Sequence, residues 1–426
     1  MKPILISGAQ INGITQDLLI KGNRIERIAP FIPQKEGYDV LEGANRVVVP
    51  GMANTHTHAA MTLFRGYGDD LPLMPWLEDY IWPVEAHLTD EDIYWGVRLA
   101  CLEMIRTGTT VFLDMYASPL ATAQAVEDSG IRAVVGCTLF DRGDETRAKI
   151  DRENCYKYLK DFEQFSDRVI YSVAPHAIYT VSGEQLQFCR KFADETGVFV
   201  HLHLSETQKE VEDAIKQYGL RPAHYLEKIG AISDRFILAH SLWLEDDELD
   251  IIAKSGAATV HNPASNMKLA SGYSFRFEEM KKRGIPIGIG TDGCSSSNNL
   301  DMFIAMRLAA LLGKVWRYDP TATSAKDIYQ AATEAGYNIL GLEGGVLKEG
   351  ALADLCLLKT KIPTMVPMHN LVSNLVYSAD GSVVDTTIVN GCILMREGTI
   401  PGEEEVIMKA AQRAYNLIAN YGIKQK

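Results

Sequence analysis

The chain has 426 residues, enough for a large core and more than one packed unit. Hydrophobic residues make up 46% and charged residues 23%, the balance of a soluble globular protein, and the formal net charge is -13. That acidity disfavours nucleic-acid and anionic-membrane partners, which need a basic surface, and is read as serving solubility. Seven scattered cysteines without a C-x-x-C suit reduced thiols in a cytosolic protein, not a disulfide framework or a cysteine-bound zinc. The apolar stretch after Met1 is too short for a signal peptide, and no apolar run is long enough to span a bilayer. The expected location is the cytoplasm.

The N-terminal segment reads as short strands, 4–6, 18–20, 25–28 and 47–49, separated by Gly, Asn or Pro. The C-terminal segment resembles it, with β runs at 353–358 and 386–394 and an Asn390-Gly391 hairpin signal inside the second. A small composite β-sandwich domain, built from residues 1–52 and from 346–426 with a terminal helix, is the simplest account. Two separate β caps are the alternative.

The middle, 53–345, alternates strand and helix patterns. Eight short apolar segments fall at 53–58, 110–115, 131–137, 169–175, 198–204, 235–240, 257–261 and 286–291. The clearest helix between them starts after Thr89, an N-cap followed by Asp90, Glu91 and Asp92. Ile93, Val97, Ala100, Cys101, Met104 and Ile105 then recur at helical spacing up to Gly108. Eight such units imply a (β/α)8 TIM-type barrel. An open doubly wound sheet is the rival, but no Gly-rich phosphate loop follows any strand.

Barrel enzymes carry their chemistry at the C-terminal strand ends. Here those ends bear His56 and His58, Asp114, Cys137, His176, His203, His240, His261 and Asp292. Any single histidine can be structural; one shared site explains them all more economically. Asn54-Thr55-His56-Thr57-His58 follows a β-branched run closed by Pro50-Gly51. In a strand, His56 and His58 point the same way, roughly 6–7 Å apart, and can share a metal ion. His201 and His203 also share a face, so periodicity does not choose between them; His203 lies nearer the strand end, and His201 is read as a buried strand residue hydrogen-bonded in the barrel. Asp292 supplies a carboxylate, and three histidines with one carboxylate leave a position for water. The set suits one Zn²⁺ per subunit, with Fe²⁺, Mn²⁺ or Co²⁺ also acceptable. No lysine lies in 169–176 to bridge two ions. Trp76 and Trp82 either line a lid or anchor their loop. Asn298 and Asn299 are expected to cap a helix near Leu300.

The chain resembles the amidohydrolase superfamily, and within it the methylthioadenosine/S-adenosylhomocysteine deaminases. The motifs are the 50–58 stretch, Trp82-Pro83-Val84-Glu85, Ala174-Pro175-His176, His203-Leu204-Ser205-Glu206-Thr207, Ala239-His240, His261-Asn262-Pro263-x-Ser265-Asn266 and Thr291-Asp292-Gly293. They occur in family order along nearly the whole chain. The resemblance implies metal ligands His56, His58, His203 and Asp292, a proton shuttle at Glu206, and a water-holding His240. It also implies ribose contact by Glu85, purine contact by His176, and possible homo-oligomers. The implied reaction is hydrolytic deamination of 6-aminopurine nucleosides: 5'-methylthioadenosine, adenosine, 5'-deoxyadenosine or S-adenosylhomocysteine. A glutamate near, but not on, zinc does the same proton work in unrelated deaminases. In one departure, Cys137 stands where many relatives carry an arginine for the homocysteine carboxylate. Arg142 or Arg147 could take its place, and a nucleoside without that tail is the expected better substrate. The rivals are an s-triazine, guanine or pterin hydrolase of the same superfamily, and a non-catalytic barrel. An off-metal Glu206 has no use in the latter.

Overall fold

A computed structural model of the chain describes residues 2–71 and 73–423. The N-terminal strands are β1 (Ile4–Ile11), β2 (Ile14–Lys21), β3 (Arg24–Ala29), β4 (Asp39–Glu42) and β5 (Arg46–Pro50). Eight more follow: β6 (Met52–Thr57), β7 (Thr109–Tyr116), β8 (Arg132–Leu139), β9 (Val169–Pro175), β10 (Phe199–Leu204), β11 (Phe236–His240), β12 (Ala258–His261) and β13 (Ile287–Ile289). The last three are β14 (Leu355–Lys359), β15 (Val384–Val389) and β16 (Cys392–Met395).

Strands β6 to β13 pair in chain order, all parallel, and each overlaps one expected apolar segment. They are buried almost throughout, as parallel strands covered on both faces must be. The ends of this sheet meet. Thr55 Oγ1 donates to the Ile289 carbonyl at 3.0 Å, and the Asp292 N–H donates to the His56 carbonyl at 3.0 Å. Gly288 permits that approach, since a Cβ there would lie 2.3 Å from Thr55 Oγ1. The result is the expected barrel, closed side to side between its first and last strands.

The strands of the two termini combine in one sheet, where a sandwich was expected. Their strands form one continuous eight-stranded sheet in the order β16-β15-β14-β5-β1-β2-β3, with β4 beside β1. Asn390 and Gly391 both take positive φ, 51° and 71°, the pair of left-handed residues that a two-residue hairpin between β15 and β16 requires. β5 leads straight into β6, so this sheet and the barrel share a joint. A buried ion pair reinforces it. Arg132, at the start of β8, holds Asp354 at 3.0 Å, and Asp354 also accepts from Tyr337 Oη at 3.1 Å.

The helix after Thr89 runs Asp90–Arg106. Thr89 Oγ1 accepts the Asp92 N–H, while the Asp92 carboxylate accepts the Thr89 N–H at 2.9 Å, a reciprocal cap. Its apolar positions bury against the barrel's outer wall. No helix among the described residues is long and apolar enough to cross a membrane.

Candidate active site

Alternation along β6 brings the His56 and His58 rings to one face, centroids 5.0 Å apart. His203, from the end of β10, sits 5.0 Å from His56 and 5.3 Å from His58. Asp292 follows β13 in a left-handed conformation, φ 61°, which turns its carboxylate inward. Its Oδ1 lies 3.4 Å from His56 Nε2 and 3.2 Å from His58 Nε2. His56, His58 and His203 present ligand atoms within 4.8 Å of one another, and so do His56, His240 and Asp292. The Nε2 atoms of His56 and His203 are buried without a hydrogen-bond partner. Buried polar atoms without partners are costly, so their convergence beside a carboxylate fits a divalent cation with nitrogen and oxygen ligands.

The remote nitrogens are anchored. His58 Nδ1 meets the Met115 carbonyl at 2.5 Å, and His56 Nδ1 meets His201 Nε2 at 2.8 Å. Such contacts leave each Nε2 facing the cluster. Burial pushes His56 down to about 4 and His203 well below its ordinary value, which keeps both neutral, the metal-binding form. Burial also pushes the Asp292 carboxyl up, but the His56 and His58 rings outweigh it and hold it well below the usual range. Reciprocally, burial opposes a charge on His58, yet Asp292 wins and raises it to about 9. The cluster without a cation thus holds a proton where a metal would place positive charge.

Glu206 sits in the turn after β10, beside the cluster and not in it. Its Oε2 is 3.7 Å from His240 Nε2, and its Oε1 accepts from Ser271 Oγ at 3.1 Å. Burial, reinforced by the charge of Asp292, pushes this carboxyl up to about 7. Glu210 fixes the turn: its two oxygens accept the Ser205 and Glu206 N–H groups, each at 2.8 Å. His240 takes a left-handed φ of 70°, and Asn266 Nδ2 contacts its Nδ1 at 2.8 Å.

A cavity of about 440 Å³ opens over these groups. Glu85 and His176 line it, with Trp76 and Trp82 on the same wall. Glu85 accepts from the Tyr116 hydroxyl; burial pushes its carboxyl up, and that bond opposes the shift. Burial lowers His176 to about 3, leaving a neutral ring whose Nδ1 pairs with Thr180 Oγ1 at 2.9 Å. Cys137 is also in the wall. Arg147 reaches the cavity while paired with Asp151 at 3.1 Å. Arg142 instead stacks over Trp82 and Phe140, 5.3 and 4.8 Å from their centroids. His261 stacks flat on Phe275 at 4.3 Å and takes no place in the cluster.

His58, His203, Asp292, Glu206, His240, Glu85, His176 and Arg147 border one space, while His56 is fully buried against the cluster and Arg142 does not line the cavity. Apart from His201, expected to be buried and hydrogen-bonded in the barrel, those not anticipated are their partners. His201, Asn266, Ser271, Tyr116 and Glu210 hold His56, His240, Glu206 and Glu85. Only Asn266 lay inside a quoted motif.

The profile of the amidohydrolase family matches residues 47–394. A 5'-deoxyadenosine deaminase of Methanoregula boonei is 47% identical over 380 residues, 89% of this chain and 86% of the relative. A 5-methylthioadenosine/S-adenosylhomocysteine deaminase of Archaeoglobus fulgidus is 44% identical over 421 residues, 97% of this chain and 99% of the relative. Among solved structures, an adenosine deaminase from Xanthomonas campestris with bound zinc superposes with a TM-score of 0.92 at 31% identity, covering 98% of each chain. The profile match over 47–394 and relatives at 47% and 44% identity over nearly the whole chain place it in the amidohydrolase family.

Proposed function

We propose that this protein hydrolyses the 6-amino group of purine nucleosides, releasing ammonia and an inosine-type product. The observation that carries the reading is Glu85. A half-buried carboxylate in the cavity wall accepts two hydroxyl hydrogens readily, and ribose offers two neighbouring hydroxyls. An s-triazine, guanine or a pterin offers no such pair. The similarity to nucleoside deaminases at 47% and 44% identity supports the same reading.

In this account His56, His58, His203 and Asp292 hold one divalent ion, Zn²⁺ fitting the ligand set best. When bound, such an ion brings water's pKa down to about 7, so that a nucleophile forms at neutral pH. The chain's own groups do the rest. His176 contacts the purine as a neutral ring, and Glu85 fixes the sugar. His240 orients the attacking water at C6. Glu206, whose carboxyl is raised to about 7, takes one proton from that water and delivers it to ring N1, where it stays in the product. Asp292 accepts the remaining proton as the tetrahedral carbon collapses and passes it to the departing amine, which leaves as ammonia. Residues 53–345 carry this chemistry, and the described parts of the two terminal segments, 2–52 and 346–423, brace the barrel.

Cys137 and an Arg147 already engaged by Asp151 line the cavity, and in this account they face the sugar's 5' side. A thiol binds a carboxylate poorly. 5'-Deoxyadenosine, 5'-methylthioadenosine and adenosine are thus the preferred substrates over S-adenosylhomocysteine. Replacing Glu85 by Ala tests the sugar contact. A charged hydrogen bond contributes about 1.5–3 kcal/mol, so kcat/KM on nucleosides should fall roughly 10- to 150-fold. Unchanged activity of Glu85→Ala would remove the basis for a nucleoside.

A further inference from the structure

We propose that His201 is a positioning residue of the metal centre. It accepts the Nδ1 proton of His56 and so fixes the His56 Nε2 lone pair toward the ligand cluster. The inference rests on the metal-centre reading above and extends it to a residue that touches neither metal nor substrate.

His201 and His203 are two residues apart on β10, so both point into the barrel. His203 reaches the cluster; His201 lies one pleat deeper. β6 and β10 are not neighbours in the sheet, so the contact of His201 with His56 crosses the barrel interior. The rings meet edge to face, 86° apart with centroids at 4.8 Å, and Nε2 of His201 is 2.8 Å from Nδ1 of His56. Both side chains are fully buried.

Two neutral imidazole nitrogens at that distance share one hydrogen. If His56 Nδ1 carries it, His56 Nε2 presents a lone pair and can ligate. If His201 Nε2 carries it, His56 Nε2 bears the hydrogen and cannot. Ligation therefore requires His201 to be the acceptor, with its own hydrogen on Nδ1. That Nδ1 is buried and has no partner among the described residues. A buried polar atom left unpaired costs stability. A strand residue serving the core alone would avoid this cost with an apolar side chain, as Val200 and Leu202 do on either side. The unpaired nitrogen is accounted for if the opposite nitrogen is needed on His56.

The comparison with His58 sharpens the point. Its Nδ1 faces the Met115 carbonyl, which only accepts, so His58 is confined to the ligating tautomer. His56 has an imidazole in that place, and its tautomer depends on His201.

The test is Zn²⁺ affinity, measured by competition with a chromogenic chelator, for wild type, His201→Leu and His201→Gln. Melting of the metal-free proteins is measured alongside. Loss of such a supporting contact weakens metal binding about 10- to 100-fold, and His201→Leu should fall in that range. His201→Gln keeps an acceptor oxygen and should stay within about fivefold of wild type, an expectation from the same hydrogen-bond requirement. Metal-free His201→Leu should still melt cooperatively, because Leu removes one unpaired buried nitrogen, Nδ1 of His201, while leaving another, Nδ1 of His56. Leu and wild type binding zinc equally, or Gln falling as far as Leu, would overturn the proposal. So would a Leu variant destabilised without metal yet unchanged in affinity. If Leu does not fold, His201→Phe, nearer in volume, takes its place with the same expectations. Wild type failing to bind zinc at all would instead refute the metal centre itself.

Discussion

Replacing Glu206 by Gln isolates proton transfer from everything else in the site. The amide keeps the side chain's volume and an oxygen that still accepts from Ser271, whose Oγ lies 3.1 Å from Oε1. It is not among the groups that could hold a metal, so metal content should not change. What disappears is a carboxyl raised by burial, and then by Asp292, to about 7. A group with that pKa is ionised often enough to accept a proton and protonated often enough to give one. Positioned acid–base groups contribute about 10²–10⁴ in rate, or roughly 3–5 kcal/mol of barrier. The Gln variant should lose kcat by that factor with little change in KM. Because ionised Glu206 begins the cycle, wild-type kcat should rise with pH through about 7, and the Gln variant should lack that limb. The assay is steady-state ammonia release from 5'-deoxyadenosine across pH, with zinc content measured on each sample. A Gln variant within tenfold of wild type, or one that keeps the limb, would refute the assignment.

Two further outcomes follow from charge placement. Asp354→Ala leaves Arg132, 2% exposed in its side chain, buried without its partner. Breaking such a pair costs about 3–5 kcal/mol, readable in urea titrations, whereas a loss under about 1 kcal/mol would mean the joint between sheet and barrel does not depend on it. His58 gives a pH effect. Its pKa is raised from 6.5 to about 9, so in the metal-free protein it stays protonated up to about 9. That proton contributes stability fully present below 6.5 and lost as pH rises through about 9. A metal ligand must be neutral, so zinc binding near pH 8 should release roughly one proton, seen by calorimetry in buffers of different ionisation enthalpy. Release independent of pH beyond 9 would contradict this.

Much of this molecule was legible in the sequence because of what parallel strands require. Strands covered on both faces must be apolar until they emerge, so the barrel reads as eight apolar runs and the site as the polar residues that end them. His56 and His58 were suggested by their spacing only in company with the other strand-end histidines, and Asp292 by its place after the last run. The supporting contacts were not legible, for a common reason. Tyr116 meets Glu85, Ser271 meets Glu206, and His201 meets His56 only after distant segments are brought together. His201 shares its face with His203, and a period of two says nothing about depth along the strand. Local rules also failed once. Asn298 and Asn299 look like caps for a helix near Leu300, yet Asp301 caps Met302–Arg317 by accepting the Phe303 N–H at 2.9 Å. Asn298 is used otherwise, in the left-handed conformation that closes the short helix Cys294–Ser297. Neighbouring cap residues compete for one helix end, and the chain's path into it decides among them.

The central claim is that this cavity deaminates a nucleoside. The most direct measurement is ammonia release by zinc-loaded protein from 5'-deoxyadenosine, 5'-methylthioadenosine, adenosine, S-adenosylhomocysteine, guanine and one s-triazine, compared as kcat/KM. The account predicts turnover confined to the adenosines, with S-adenosylhomocysteine the poorest of them. Turnover of guanine or the triazine with silence on every adenosine would contradict it, leaving the metal site in place and removing the roles given to Glu85 and His176.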